Sequence, residues 1–515
     1  MAESRRRLRT RGWWLLCLLA VTSFVAEDAV AQLDLPKDEP ASVKAGPDDS
    51  TESLPDQQDD SGTLGGYDLT WKGLRHLQRI QFLANISTLN SSPTFLPRRE
   101  TDVTLDWWKP QPTPLGRSEI DPLLGSPLSP IMSPVRNLES YLTDTTGLNF
   151  GIYYTLLYQH VTDPVADRPR DLGTGRLDVN VVWNLWQSPG NGSGHGHTHG
   201  PGGPSHDGHG LIGVLVRQGQ QIGVPQNRTT RDSVGSTQGL NSLYQGPDGG
   251  PATLNLLYYQ QGILDDRIVV SAGKLHPNQY IGLNFWANDE SRQFLAGPFD
   301  GIQTLGSGQG GYQLGVAGQA VLGDEVFMNA IVVDALGTPQ TMFSTLSDGY
   351  VWSAAEVGWL LPVDEERFGG PSALSLIWAG SNLDELTTPG RRERRWSNGL
   401  ALQFQGHLTS DLGVWAQGGV AAKTFSETTA EVSVGLGYES PFGRRGDLIG
   451  LAYNWSKPSK LLATERSQNL VEAFYRIQLT GSLQLSPDIQ VVFDPGDRPG
   501  SETVFVFGLR LTTDF

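Results

Sequence analysis

The sequence predicts an all-β chain: a sixteen-stranded antiparallel transmembrane β-barrel, preceded by a partly disordered N-terminal region with a short helix. Three observations predict this fold. From residue 148 onward, segments of about ten residues alternate between apolar and polar side chains. Short turns alternate with long loops along the same stretch. The chain also begins with a pattern typical of exported proteins.

Residues 1–31 have the features of a secretory signal peptide. Five arginines precede the apolar run at residues 13–26, which is followed by the small-residue cleavage pattern Ala29-Val30-Ala31. The apolar run is shorter than the roughly 20 residues that a membrane-spanning helix needs. We therefore expect export, and the only cysteine, Cys17, would be removed with the signal peptide.

Two further segments precede the predicted barrel. Residues 32–62 are acidic and rich in proline, with few large apolar side chains, and this composition predicts a disordered tether. Residues 63–147 are predicted to form a periplasmic region with a helix near 133–147. In that helix, Ser133 would cap the first turn, Pro134 suits the first helical position, and Gly147 ends it.

The predicted barrel occupies residues 148–515. Its strands are expected at 150–160, 176–186, 210–219, 252–261, 266–274, 312–322, 326–335, 350–360, 372–380, 397–408, 412–421, 430–439, 447–455, 469–479, 482–493 and 502–515. With an even number of strands, the chain enters and leaves the barrel on the same side of the membrane. A large soluble β-sandwich remains the alternative, because its strands also alternate.

Strand parity separates a lipid-facing side from a lumen-facing side. In residues 176–186, Leu177, Val179 and Val181 share the apolar face, while Arg176 and Asp178 share the polar one. The same parity makes lumen-wall candidates of Glu472, Arg476 and Arg510. A wet lumen with polar walls is typical of pore-forming barrels.

Composition and motifs exclude several functions. The 38 basic and 55 acidic residues give a net charge of −17, which argues against nucleic acid as a partner. The sequence contains no phosphate-binding loop, no nucleophile elbow and no zinc-protease motif. We therefore expect no enzyme activity, no catalytic residue and no cofactor.

Two stretches resemble the carbohydrate-selective, OprB-type porins. One is LYYQQGILDDRIVVSAGKLHPNQYIGLNFWANDESRQFLAGPF (257–299), and the other is EAFYRIQLTGSLQLSPDIQVVFDPG (472–496), which is followed by GLRLTTDF (508–515). The resemblance covers about residues 140–515 and implies a sixteen-stranded outer-membrane barrel that passes sugars by diffusion. Residues 32–130 have no clear counterpart in the family.

The long loop at 275–310 is the best candidate for a constriction. Trp286 would stack on a sugar ring, while Glu290 and Arg292 would orient hydroxyl groups, as polar side chains do in selective pores. Asn278 and Asn284 complete the loop candidates. Alternatively, these side chains only pack the loop onto the barrel wall.

A histidine-rich insertion contains five of the nine histidines. His195, His197, His199, His206 and His209 form a weak candidate site for a divalent metal such as Zn²⁺, Ni²⁺ or Cu²⁺. Alternatively, the insertion is a tolerated disordered segment without a role.

The sequence thus predicts an outer-membrane porin of a diderm bacterium that lets mono- or small oligosaccharides diffuse through a polar lumen. Its expected partners are carbohydrates and outer-membrane lipids, and its oligomeric state stays open. Two alternatives remain. One is a general pore or a pore for anions and organic acids. The other is a sealed structural barrel anchored to the cell wall.

Overall fold

A computed structural model describes the barrel and parts of the segment before it. Described are residues 123–124, eight residues between 134 and 146, and the ranges 147–187, 209–223, 228–243, 252–264, 267–322, 325–361, 372–384, 393–409, 411–462, 466–496, 498 and 502–515. The predicted signal peptide, the acidic tether and most of the predicted periplasmic region lie outside the described residues. Those three predictions stay untested.

Sixteen strands follow one another along the chain. They are β1 (Leu148–Val161), β2 (Asp171–Gln187), β3 (His209–Ile222), β4 (Thr253–Ile263), β5 (Ile268–Leu275), β6 (Gln313–Leu322), β7 (Val326–Asp334), β8 (Val351–Leu361), β9 (Ser372–Asp384), β10 (Glu393–His407), β11 (Leu412–Ala421), β12 (Thr428–Glu439), β13 (Leu448–Pro458), β14 (Gln468–Thr480), β15 (Leu483–Phe493) and β16 (Thr503–Asp514). Each coincides with one predicted strand, so the fold prediction is confirmed.

The strands form one closed antiparallel barrel. Every strand pairs with its neighbours in sequence, and β1 pairs with β16 to close the sheet. In the closing pair, Leu156 lies opposite Leu511 and Leu157 lies opposite Arg510. Because the number of strands is even, β1 begins and β16 ends at the same end of the barrel, which we call the terminal end. The opposite end is the loop end.

The outer face of the barrel is apolar. Exposed aliphatic side chains such as Val316, Val332 and Leu509 follow the strand alternation. Exposed aromatic side chains lie near both ends: Trp183, Trp359, Tyr438 and Phe515 near the terminal end, and Tyr158, Trp396, Phe493 and Phe505 near the loop end. An apolar band between two aromatic girdles is typical of barrels in outer membranes.

Helical segments are short and lie outside the strands. Among the described residues from 147 onward, they are α1 (Thr230–Val234), α2 (Gly297–Asp300) and five 3₁₀ turns at Pro277–Gln279, Gln303–Leu305, Ser307–Gly310, Leu346–Asp348 and Pro441–Gly443. The described residues between 134 and 146 are helical, where the sequence predicts a helix. No helix within the described ranges is long and apolar enough to cross a bilayer.

Candidate functional site: a constriction in the barrel lumen

Residues 276–312, between β5 and β6, form the constriction loop. The loop folds into the lumen and contacts the inner wall on many sides. Its backbone or side chains form hydrogen bonds with inner-face residues of β2, β8, β10, β11, β12, β14 and β16. The sequence expectation of an inward loop in this part of the chain agrees with this arrangement.

An apolar cluster holds the constriction loop against the wall. Phe294 lies with its ring centroid 5.2 Å from that of Phe299 and 4.9 Å from that of Phe474 on β14. Trp415 of β11 approaches both loop phenylalanines at 5.9–6.0 Å. All four rings are buried. Fully burying such a side chain stabilises the folded state by about 1.5–3 kcal/mol, which explains why this loop packs inward instead of remaining in solvent.

Trp286 belongs to this buried cluster. Only 2% of the residue is exposed. Its ring packs edge-on against His407 and lies over two glycines of the wall, Gly413 and Gly437. A Cβ atom at Gly413 would come within 1.9 Å of the indole, so only glycine leaves room for the ring. The structure therefore does not favour the predicted stacking of Trp286 on a sugar, because its ring faces are covered.

Three wall carboxylates accept hydrogen bonds from the backbone of the constriction loop. Glu356 of β8 accepts from the Gly282 amide at 3.1 Å, and Glu431 of β12 accepts from the Thr304 amide at 2.8 Å. Glu472 accepts from two successive amides, those of Leu295 and Ala296. Glu472 is thus a loop anchor, whereas the sequence made it a candidate for solute contact.

Neutral amides anchor the loop between these carboxylates. Gln403 donates to the Gly282 carbonyl at 3.0 Å and Gln405 donates to the Leu283 carbonyl at 2.8 Å. Gln417 of β11 donates to the Pro298 carbonyl at 3.0 Å. These wall amides thereby satisfy buried carbonyl groups of the loop, as buried polar groups require.

A second inward loop, residues 228–243 between β3 and β4, packs on the first. Thr229 caps α1 in a capping box with Asp232. The two loops are joined by hydrogen bonds from the Gly297 amide to the Gly239 carbonyl and from the Ser242 amide to the Leu295 carbonyl. The lumen is therefore narrowed by two loops, of which the sequence analysis considered only one.

Charged groups gather where the constriction loop meets β2 and β3. Arg176 pairs with Glu290 at 2.5 Å and with Asp178 at 3.0 Å. Arg217 of β3 donates twice to Asp178, at 2.6 and 3.2 Å, and to the Tyr312 hydroxyl at 2.6 Å. The predicted site residues Arg176, Asp178 and Glu290 are thus brought together, and Arg217 and Tyr312 join them.

The constriction loop carries three half-buried carboxylates, Asp289, Glu290 and Asp300, and we call this group the aperture edge. Burial alone would raise the pKa of Glu290, but Arg176 and Arg217 outweigh this effect and lower the pKa to about 2. Burial, reinforced by the neighbouring Glu290, raises the pKa of Asp300 well above its usual range. Neighbouring carboxyl groups on one edge thus differ in the ease with which they lose a proton.

A second charged group lines β14, β15 and β16. Arg510 donates to the Glu290 carbonyl at 2.7 Å and lies over the ring of Phe474. Arg292 lies 4.0 Å from Asp514, and Arg476 lies within Coulombic range of both Arg292 and Arg510. These predicted residues therefore border one region of the lumen. Asp488 faces the same region from β15 and was not predicted.

The two predicted asparagines hold the shape of the loop. Asn278 donates to the Asp300 carbonyl at 2.7 Å, and the side-chain oxygen of Asn284 accepts from the Trp286 amide at 3.0 Å. Both side chains are buried. These two hydrogen bonds lie within the loop.

The proposed metal site stays a prediction. His209 begins β3, and the other four histidines of the insertion lie outside the described residues. Within the described ranges, no group of three or more histidine, cysteine or acidic side chains is arranged to hold a metal ion.

Several residues that shape the lumen were missed by the sequence analysis. Arg217 follows residues 210–216, which are apolar on both faces, so alternation gave no polar face to read. Glu356, Glu431 and Asp488 lie on the lumen side of their strands, and parity alone would have found them. The α1 loop carries a recognisable capping box beginning at Thr229.

Comparison with known proteins agrees with this architecture. Residues 218–515, more than half of the chain, match the family described as carbohydrate-selective porin, OprB family. The chain belongs to the OprB family. This porin is therefore an outer-membrane protein of the kind found in Gram-negative bacteria. Channels of this family and fold are typically not enzymes.

Individual relatives are distant. The porin is 29% identical over 119 residues to "Porin AaxA" of Chlamydia abortus and, over the same length, to that of Chlamydia felis. Each match covers 22% of this chain and 27% of the relative. The structure of Pseudomonas putida OprB at high pH superposes with a TM-score of 0.58 at 15% identity, covering 74% of this chain and 97% of that one. That likeness concerns the fold.

Proposed function

We propose that this porin passes small neutral carbohydrates by diffusion past the aperture edge and the charged side chains of β2, β3 and β14–β16. The observation that carries the proposal is the pairing of charges at this edge. Arg176 and Arg217 are balanced by Asp178 and Glu290, so the site presents donors and acceptors together. Sugar hydroxyls both donate and accept, and such a lining suits them better than an ion of either sign.

A pore for organic acids is the second candidate. Arg292, Arg476 and Arg510 converge from the constriction loop, β14 and β16, and a cluster of arginines favours anions. Asp289, Asp488 and Asp514 lie close to the same arginines and offset their charge. This balance favours the neutral solute over the anion.

Liposome swelling with the purified, refolded protein tests the proposal. We expect faster swelling with glucose than with amino acids and organic acids of matched size, and slow swelling with a trisaccharide. Equal rates for all small solutes would indicate a general pore, and faster rates with organic acids would favour the second candidate. No swelling with any solute would contradict a pore and leave the sealed structural barrel.

A further inference from the structure

Three exposed lysines lie together at the loop end of the barrel: Lys423, Lys457 and Lys460. Residues 148–515 contain four lysines in all, so this part of the chain concentrates its amines in one place. Lys457 lies at the end of β13, and the other two lie in the loops that follow β11 and β13. These loops are in contact, because the Ser459 hydroxyl donates to the Lys423 carbonyl at 2.6 Å. We call the three residues the lysine cluster.

The side chain of Lys457 lies on the lipid-facing side of the sheet. Along β13, Tyr453 is exposed on the outer face, whereas Ser456 is buried toward the lumen. Lys457 shares the parity of Tyr453. It also lies opposite Ala430 of β12, which lies opposite Val420 of β11, and Val420 is an outer-face side chain that is 55% exposed. The cluster therefore adjoins an apolar surface that faces the lipid chains.

An aromatic girdle marks the depth of the cluster in the membrane. Trp455, Asn469 and Phe493 lie opposite one another on β13, β14 and β15, and Phe493 belongs to the girdle near the loop end. Such girdles lie at the level of the lipid headgroups. Lys457 follows Trp455 by two residues, about 7 Å further toward the loop end. Its amine is therefore at the height of the headgroups.

The charges of the lysine cluster are not balanced by neighbouring acids. Within the ranges that the structure describes, none of the three amines forms an ion pair or a hydrogen bond. Glu427, an exposed acid in the same loop as Lys423, pairs with Arg231 at 3.0 Å. Three positive charges on one exposed surface favour an anion, and each lysine near a membrane surface adds to the attraction for anionic headgroups.

The loop end is the side of the barrel that meets the outer leaflet. The constriction loop, which is the longest connection of the barrel, begins and ends there. Outer-membrane barrels have their longer loops on the side of the cell exterior. The anion that reaches the lysine cluster from the membrane is thus a headgroup of that leaflet.

We propose that Lys423, Lys457 and Lys460 form a binding site for the phosphate groups of an outer-leaflet glycolipid. The acyl chains of the lipid lie below the cluster, on the outer surface that carries Val420 and Tyr453. The position of the amines beside this apolar surface favours a lipid phosphate over a free phosphate ion. The site lies outside the lumen and does not depend on the proposed function.

Native mass spectrometry of the refolded porin in a neutral detergent tests the site. Diphosphoryl lipid A is titrated, and dephosphorylated lipid A with the same acyl chains is the control lipid. We expect one molecule of the phosphorylated lipid to be retained at an about tenfold lower concentration, because only this lipid uses the charges of the cluster. Equal retention of the two lipids overturns the proposal. Displacement of the lipid by an equal concentration of inorganic phosphate would indicate a site for the free ion and overturns it as well.

Variants locate the site on the barrel. Lys457→Gln should weaken the retention of diphosphoryl lipid A about fivefold, as expected for one lysine near a membrane surface. Changing all three lysines to glutamine should abolish the difference between the two lipids. Arg170→Gln is the matched control, since it removes one exposed positive charge at the same end of the barrel, between β1 and β2. Unchanged retention in the triple variant, or an equal loss in Arg170→Gln, overturns the assignment.

Glucose swelling of liposomes separates this proposal from the proposed function. The lysine cluster lies on the outer face, so the swelling rate should be the same in the triple variant and in the unchanged porin. Absence of glucose permeation in the unchanged porin would refute the proposed function and leave the lipid site standing.

Discussion

The wall formed by β8–β12 and the wall formed by β14–β16 with β2 and β3 both hold the constriction loop, but with different chemistry. On the first wall, Glu356, Gln403, Gln405, Gln417 and Glu431 bind the loop backbone, and none of them pairs with a cation within the described residues. On the second wall, Glu472 also binds the loop backbone, but here arginines and carboxylates meet as well, as in the Arg176–Glu290 pair. We infer that the first wall fixes the size of the pore and the second fixes its solute preference.

The largest stability effect is expected at Arg176. Its guanidinium is 2% exposed and compensates both Asp178 and Glu290. Arg176→Gln leaves Glu290 without its closest cation, and removing one partner of a buried pair costs about 3 kcal/mol. Arg231→Gln, which breaks an exposed pair with Glu427, should cost less than about 1 kcal/mol.

Urea-induced unfolding of the refolded barrel measures both free energies. In the same samples, the K⁺ over Cl⁻ permeability ratio should rise for Arg176→Gln and stay constant for Arg231→Gln. Equal losses of stability in the two variants would contradict the role given to the ion pairs of the second wall.

Gly413→Val tests the first wall. The new side chain would collide with the Trp286 indole, and overpacking of this kind costs about 1–3 kcal/mol. We expect the constriction loop to be displaced, so that liposomes swell several-fold faster with a trisaccharide. The control is Gly318→Val, because a Cβ atom there meets no other atom within 4 Å. Trisaccharide exclusion that survives in Gly413→Val would show that Trp286 does not hold the loop.

A smaller effect is expected at Glu431. The change Glu431→Gln keeps one oxygen for Thr304 but replaces the carboxyl acceptor by an amide, which is a loss of about 1 kcal/mol. We expect trisaccharide swelling to rise about twofold while the K⁺ over Cl⁻ ratio stays constant. A changed K⁺ over Cl⁻ ratio would contradict the inference that the first wall fixes the size of the pore and the second wall fixes its solute preference.

The carboxyl groups of the aperture edge should take up protons at different pH values. Because burial raises the pKa of Asp300 while Arg176 and Arg217 lower that of Glu290 to about 2, Asp300 takes up its proton at a higher pH than Glu290 does. In a titration from alkaline pH down to pH 4, the K⁺ over Cl⁻ ratio should therefore fall while Glu290 is still ionised. In Asp300→Asn this fall should be much smaller, and an identical fall in the variant would refute the assignment to Asp300.

The sequence predicted the barrel in detail because alternation repeats in every strand and register follows from it. The face of Arg510, for example, follows from the outward parity of Leu509 and Leu511. The constriction loop was harder, because it has no such period. The sequence predicted that Trp286 stacks on a sugar ring. Its ring is covered by glycines of β11 and β12, which are distant in the chain, so this contact could not be predicted. Glu472 could not be recognised as an anchor for the same reason.

Cysteine accessibility tests the central claim most directly, namely that the open path lies beside the aperture edge and not beneath the loop on the first wall. Glu290→Cys and Gln405→Cys would be compared in planar bilayers with a cationic, thiol-specific methanethiosulfonate reagent. We predict that the reagent reduces the current of Glu290→Cys within minutes and leaves Gln405→Cys unchanged, since Gln405 is 2% exposed under the loop. Rapid block of Gln405→Cys together with an unreactive Glu290→Cys would contradict the account.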